Sequence, residues 1–142
     1  MLEPLPLSFY TPSALVVARN LLGARLVRVL PNGARLAGRI VETEAYHGID
    51  DLASHGHSRR TPRNLPMYGQ PGRAYVYFTY GNYWLFNVVA EPDGDPSAVL
   101  IRAVEPLEGL DEMAARRPGR AIHEWTSGPG KLALAFAING AD

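Results

Sequence analysis

The sequence predicts an α+β protein: a single domain built on an antiparallel β-sheet with flanking helices. Three observations lead to this class. Strand-like stretches follow one another across tight turns, helix signals stand near both ends, and no repeat or linker divides the 142 residues. A chain of this length suits one domain with a substantial core.

Start and stop signals place the elements in order. Helices are predicted over residues 11–22, 110–116 and 127–139. Strands are predicted over residues 24–30, 39–46, 73–80, 83–90 and 98–104. Thr11 is the expected N-cap of the first helix and Gly23 its C-terminal stop, whereas Asn139-Gly140 is expected to end the last helix. Pro31-Asn32-Gly33 predicts a hairpin turn, and residues 1–10 an extended arm.

Composition excludes several kinds of site. The chain has no cysteine, which excludes disulfides, cysteine-ligated zinc and thiol nucleophiles. It shows no bilayer-length apolar run and no basic, signal-like start, so we expect a cytoplasmic protein without membrane contact. Lys+Arg and Asp+Glu number 14 each, so net charge gives no sign of nucleic-acid binding. Lys131 is the only lysine, and arginine suits bidentate phosphate contacts.

The stretch from Arg39 to Tyr46 carries the first candidate site. On a regular strand, Ile40, Glu42, Glu44 and Tyr46 share one face. A carboxylate beside a like charge or an apolar wall can act as a general base. A polar sheet face in water explains the same pattern, and this stretch alone favours that simpler interpretation.

The long polar loop of residues 47–72 offers a second candidate. His55-Gly56-His57, together with His47 or Asp50, has the residue types of a zinc site. Closely spaced histidines in an arginine-rich loop are more often exposed to solvent. We therefore predict no metal.

Aromatic and polar residues in the later strands offer a third. Tyr75, Tyr77, Tyr80 and Tyr83 flank a tight turn, and form either a sheet core or a stacking platform for bases. Asn87 interrupts an apolar strand, where a buried amide either ties down a loop or recognises a ligand edge.

Arg102 lies within another apolar strand. A charge in that position needs an acidic partner, such as Glu105, or an anion.

Several separate blocks, in order from about Leu21 to Asn139, resemble the alkyladenine (3-methylpurine) DNA glycosylase family. The blocks are Arg39-Ile40-Val41-Glu42-Thr43-Glu44-Ala45-Tyr46, Thr61-Pro62-Arg63-Asn64, Tyr75-Val76-Tyr77, Tyr80-Gly81, the run from Leu100 to Gly109, and Ser127-Gly128-Pro129-Gly130-Lys131-Leu132. Six blocks in the family's order are a more specific signal than one short motif.

The resemblance implies a base-excision-repair enzyme that flips damaged purines out of double-stranded DNA and hydrolyses their N-glycosidic bond. Its substrate class would include 3-methyladenine, 7-methylguanine, hypoxanthine and ethenoadenine. It implies no cofactor, no metal and no covalent lysine intermediate. It also implies a curved sheet like that of a formyltransferase C-terminal domain, a monomer, and association with the nucleoid in a bacterium.

Matching motif positions imply a role for each site residue. Glu44 would be the general base, and Arg102 would lie near the catalytic water and the DNA backbone. Tyr46 would stack on one face of the flipped base, with Tyr77 and His55 on the other.

Two further roles follow from the same resemblance. Tyr80 at the hairpin tip would intercalate as a wedge, and Asn87 would crowd the exocyclic amino group of normal guanine.

One departure from the family leaves alternatives open. The family's domain continues with further strands, whereas this sequence stops at Asp142, so we expect one glycosylase domain over 1–142 without those strands. A catalytically silent nucleic-acid-binding module of the same fold is one alternative. The other is a sugar hydrolase that uses Glu42 and Glu44 as an acid/base pair.

Overall fold

The computed structural model describes residues 3–46, 70–78, 83–91 and 97–140, which form one α+β domain. Its strands are β1 (Arg25–Val29), β2 (Arg35–Tyr46), β3 (Ala74–Phe78), β4 (Trp84–Val89) and β5 (Ala98–Glu108). Its helices are α1 (Ala14–Leu21), α2 (Leu110–Arg116) and α3 (Pro129–Ala135). Neighbouring strands are antiparallel, in the order β1-β2-β5-β4-β3. The predicted α+β class and antiparallel sheet are confirmed.

The predicted turn at Pro31-Asn32-Gly33 joins β1 to β2. Gly33 has a φ of +86°, in the left-handed region that glycine adopts without steric cost. The Leu30 N–H donates to the Ala34 carbonyl at 2.8 Å, and Asn32 Oδ1 accepts the Ala34 N–H at 2.9 Å. These bonds fix the register of the hairpin. The register in turn decides which face of the sheet each β2 side chain lies on.

Helix α1 starts later than predicted. The Thr11 hydroxyl donates to the 3-10 turn of residues 7–10, which replaces part of the expected extended arm. Ser13 is the N-cap instead, and its side chain accepts an N–H of the first turn. The buried carboxylate of Glu91 accepts the N–H of the first helical residue at 3.0 Å, where the helix dipole favours negative charge. Gly23, with a φ of +90°, follows the end of the helix as predicted.

The main core lies between the helices and one face of the sheet. Its largest fully buried members are Phe136, Leu36, Ile101, Met113 and Leu132. The other face carries a smaller cluster, Tyr75, Val89 and Ala98, with Tyr77 packed against it. No helix among the described residues is long and apolar enough to cross a membrane. Because the helices occupy one face, polar side chains of a site can meet on the other.

The prediction that Ile40 and Glu42 share a face is wrong. Ile40 is buried in the main core, whereas Glu42 is exposed. The pairing of β2 with β5 skips Val41 on β2 and then Arg102 on β5, so each strand carries one extra residue at the same level. Such β-bulges interrupt the period of two, and Thr43 rather than Glu42 faces α1.

Strand β5 extends four residues beyond its predicted end at Val104. It passes through Pro106, which pairs with Gly38 beside another irregularity of the register. Proline cannot donate to a ladder but is tolerated at bulges, so it does not end this strand. Helix α2 occupies the predicted residues 110–116.

Helix α3 ends before the predicted cap at Asn139-Gly140. Its last helical residue is Ala135, and the chain then turns through Ala137 at a φ of +55°. The Ala137 N–H donates to Leu134 at 3.2 Å, and the next N–H donates to the Ala133 carbonyl at 2.9 Å. This is a Schellman motif with alanine where glycine is usual.

Candidate active site

An ion pair between Glu44 of β2 and Arg102 of β5 forms the centre of the candidate site. Arg102 Nη1 donates to Glu44 Oε2 at 3.0 Å, and Arg102 Nε lies 3.9 Å from Glu42 Oε2. The paired side chains are 40% and 41% exposed. One guanidinium thus bridges two carboxylates on the same face and offsets their mutual repulsion.

Arg102 reaches this position because it is the extra residue of β5. Both of its chain neighbours are paired with β2, whereas Arg102 itself is skipped. Bulges frequently re-aim a side chain in this way. The prediction of an acidic partner for Arg102 is confirmed, but the partner is Glu44 rather than Glu105, which lies directly opposite Arg39 and pairs with it at 3.2 Å.

Tyr46 holds the other side of the Glu44 carboxylate. Its hydroxyl donates to Glu44 Oε1, two residues back on the same face of β2. Burial raises the pKa of Tyr46 well above its usual value, and the hydrogen bond to Glu44 and the charges of Glu44 and Tyr77 raise it further. Arg102 opposes these effects more weakly. Tyr46 therefore remains protonated at neutral pH and acts as a donor.

A cross-strand row extends the site from β2 to β3. Glu44 lies opposite Leu100, Leu100 opposite Asn87, and Asn87 opposite Tyr75. Directly opposed residues share a face of a sheet, so this row lies on the face of Glu44. The ring of Tyr77 lies 5.4 Å from that of Tyr75, centroid to centroid.

Asn87 is almost fully buried, with 2% of its surface exposed. Its Nδ2 donates to the Tyr75 carbonyl at 3.2 Å, which ties β4 to β3 through a side chain. A buried amide needs such partners. This bond joins two paired strands rather than tying down a loop, and recognition of a ligand edge by Asn87 stays a prediction.

The structure brings most of the predicted site residues onto one face. Glu44, Arg102 and Tyr46 are in direct contact, and Tyr77 is close enough for its charge to affect Tyr46. His55 and Tyr80 lie outside the described residues, as do the other histidines of the 47–69 segment. Within the described ranges, no group of three His, Asp or Glu residues could hold a metal ion.

Sequence reasoning missed two contacts of this site. It assigned the Tyr46 ring to stacking but gave no role to the hydroxyl, although residues two apart on a strand face the same way. It also did not connect Glu44 with Arg102, which lies 58 residues further along the chain.

The arrangement suits proton transfer from water. Each carboxylate oxygen can accept more than one hydrogen bond, so water can bind Glu44 while Arg102 and Tyr46 remain in place. A carboxylate held in this way and open to water has the chemistry that a general base requires.

Comparison with known proteins identifies relatives along nearly the whole chain. Residues 8–142 match the family model of the methylpurine-DNA glycosylases. A relative from Methanocella arvoryzae is 56% identical over 143 residues, which cover 97% of this chain and 71% of the relative. One from Salinibacter ruber is 51% identical over 148 residues, with 98% and 72% covered. One from Clostridium botulinum is 48% identical over 140 residues, with 92% and 68% covered. All three carry the provisional name 3-methyladenine DNA glycosylase.

Proposed function

Because the chain belongs to the methylpurine-DNA glycosylase family, we propose that it excises alkylated and deaminated purines from duplex DNA. A DNA glycosylase is a hydrolase of N-glycosyl bonds. We include 3-methyladenine, 7-methylguanine, hypoxanthine and ethenoadenine in its substrate class, and expect a monomer that works on chromosomal DNA. The observation that carries the proposal is the Glu44 carboxylate, fixed by Arg102 and Tyr46 on the sheet face opposite the helices.

In the proposed reaction Glu44 is the general base. It takes a proton from a water molecule whose oxygen attacks the sugar C1′, while the purine leaves with the electron pair of the N-glycosyl bond. Alkylation at N3 or N7 gives the purine a positive charge, which this electron pair neutralises. An alkylated base is therefore a better leaving group than a normal one, and no cofactor or lysine adduct enters the scheme.

The tyrosines are proposed to hold the purine after it leaves the helix. Flipping a nucleotide costs a few kcal/mol, least at a damaged pair, and stacking on an aromatic ring returns about 1–3 kcal/mol per base. Tyr46 would stack on one face of the purine, with Tyr77 and His55 on the other. Tyr80 would fill the space left in the duplex.

Asn87 is proposed to select against normal guanine. Guanine carries a 2-amino group that hypoxanthine and adenine derivatives lack, so a rigid side chain beside the pocket can exclude it by contact. The bond from Asn87 Nδ2 to the Tyr75 carbonyl supplies that rigidity.

Single-turnover excision with Glu44→Gln tests the proposal. Duplexes with one hypoxanthine or ethenoadenine are incubated with enzyme, and alkali then cleaves the strand at each abasic site. We expect the amide, which has the same shape but cannot take a proton, to abolish excision while lesion binding survives.

Two control variants bracket this result. Glu42→Gln removes the second carboxylate near Arg102, and Glu105→Gln removes a glutamate of the same sheet face that pairs with Arg39. Both should retain excision. Wild-type rates in Glu44→Gln would refute the role of Glu44. A larger loss in Glu42→Gln than in Glu44→Gln would assign the general base to Glu42. Binding without excision by the wild-type protein would favour a catalytically silent nucleic-acid-binding module.

A further inference from the structure

Both oxygens of the Glu44 carboxylate are occupied by different kinds of donor. Arg102 reaches Oε2 from the neighbouring strand through a long, half-exposed side chain. Tyr46 lies two residues further along the same strand, and its hydroxyl, at the end of a rigid ring, donates to Oε1. The ring has only two free torsions, so the position of its hydroxyl oxygen is fixed as soon as the ring is fixed.

We propose that the Tyr46 hydroxyl is a positioning group for Glu44, and that it couples purine stacking on the Tyr46 ring to the orientation of the carboxylate. This inference rests on the function proposed above. A purine stacked on the ring stops it from turning, and the stationary hydroxyl then holds Oε1. The bond seen in the free protein is thus maintained, and with it the alignment of the carboxylate for the attacking water, while a base occupies the site.

The protonation of Tyr46 supports the direction of this bond. Burial and the neighbouring groups raise its pKa well above the usual tyrosine value, with only Arg102 acting against them. The hydroxyl is therefore a donor throughout the pH range in which a glycosylase is assayed. A donor to a carboxylate favours the charged form, which is the form that accepts a proton from water.

Tyr46→Phe tests the proposal because it keeps the ring and removes the hydroxyl. We expect lesion binding within about twofold of wild type and an excision rate lowered about tenfold, because a misaligned carboxylate reacts more slowly. The loss should fall on the single-turnover rate constant at saturating enzyme and leave the enzyme concentration that gives half of this rate within about twofold of wild type, because the hydroxyl acts on the chemical step. Tyr10→Phe is the matched control: Tyr10 is also partly buried with a raised pKa, but it packs against Phe9 beside the main core.

The outcomes separate the inference from the proposed function. An unchanged rate constant in Tyr46→Phe would overturn the inference, as would a rate loss that tracks melting temperature and appears equally in Tyr10→Phe. Weaker binding with normal excision of bound substrate would also overturn it, because it would assign the Tyr46 hydroxyl to lesion binding rather than to the orientation of Glu44.

The double variant Glu44→Asp/Tyr46→Phe completes the test, because aspartate keeps a carboxylate and a measurable rate but withdraws the carboxylate from the hydroxyl. It should excise no more slowly than Glu44→Asp alone, because the hydroxyl acts through the carboxylate. A further loss in the double variant would overturn the inference. Full activity of Glu44→Gln alone would instead refute the proposed function.

Discussion

Replacing Arg102 with glutamine should separate catalysis from stability. At 3.0 Å from Glu44, its charge gains about 1.4 kcal/mol in a water-like dielectric. Because both side chains are about two fifths exposed, salt screening and lost side-chain freedom reduce the net stabilisation to about 0.5 kcal/mol. For a domain of 142 residues this corresponds to a fall in melting temperature of about 2 °C.

The effect on excision should be much larger. Without Arg102, Glu44 loses the donor to Oε2 and faces the charge of Glu42 uncompensated. A catalytic group displaced by about 1 Å can lose about 100-fold in rate. We therefore expect Arg102→Gln to slow single-turnover excision of hypoxanthine by about 10-fold to 100-fold.

Arg39→Gln is the matched comparison. Arg39 pairs with Glu105 at 3.2 Å on the same sheet face, with similar exposure, but outside the site. Thermal unfolding and single-turnover excision are measured for both variants at one salt concentration. Similar melting temperatures with a rate loss confined to Arg102→Gln are expected. Equal rate losses in the two variants, or an Arg102→Gln rate within threefold of wild type, would refute the reasoning.

Two further substitutions test the end of helix α3 and the side-chain bond between β4 and β3. Ala137→Gly should raise the free energy of unfolding by about 0.5–1 kcal/mol. It relieves about 1–2 kcal/mol of strain in the left-handed backbone, and the greater conformational entropy of glycine in the unfolded chain offsets about 0.4–1 kcal/mol of this gain. Urea unfolding checks this, and an unchanged or lower midpoint would contradict it. Asn87→Ser should lower the melting temperature through loss of its bond to Tyr75, and should also raise excision of guanine relative to hypoxanthine. A lower melting temperature with an unchanged ratio would leave Asn87 a structural role only.

Features set by local chemistry could be predicted from the sequence. Gly33 fixes the β1–β2 turn because it adopts a positive φ, and helix α2 begins after Gly109, whose φ is +76°. Glu44 and Tyr46 could be placed on one face because they lie beyond the irregularity of β2. In each case the decisive interaction lies within a few residues of the signal.

Features set by distant neighbours could not be predicted. Asn139-Gly140 has the composition of a helix cap, but a Cβ at Gly140 would lie 2.6 Å from the Trp84 ring, so this glycine serves packing instead. The partner of Arg102 depends on a bulge that only the pairing of β2 with β5 reveals. No local pattern distinguishes Glu44 from Glu105 as that partner.

The paired bulge at Val41 and Arg102 also changes which positions of β2 carry charge on the face away from the helices. Before it, the exposed charged positions are odd-numbered, as at Arg35 and Arg39; after it, they are even-numbered, as at Glu42 and Glu44. Since both strands advance three residues across the bulge, the same face of the sheet turns toward the helices before and after it. Charged side chains on β2 therefore follow two opposite phases, and the change of phase coincides with the step from structural ion pairs to the carboxylates of the site.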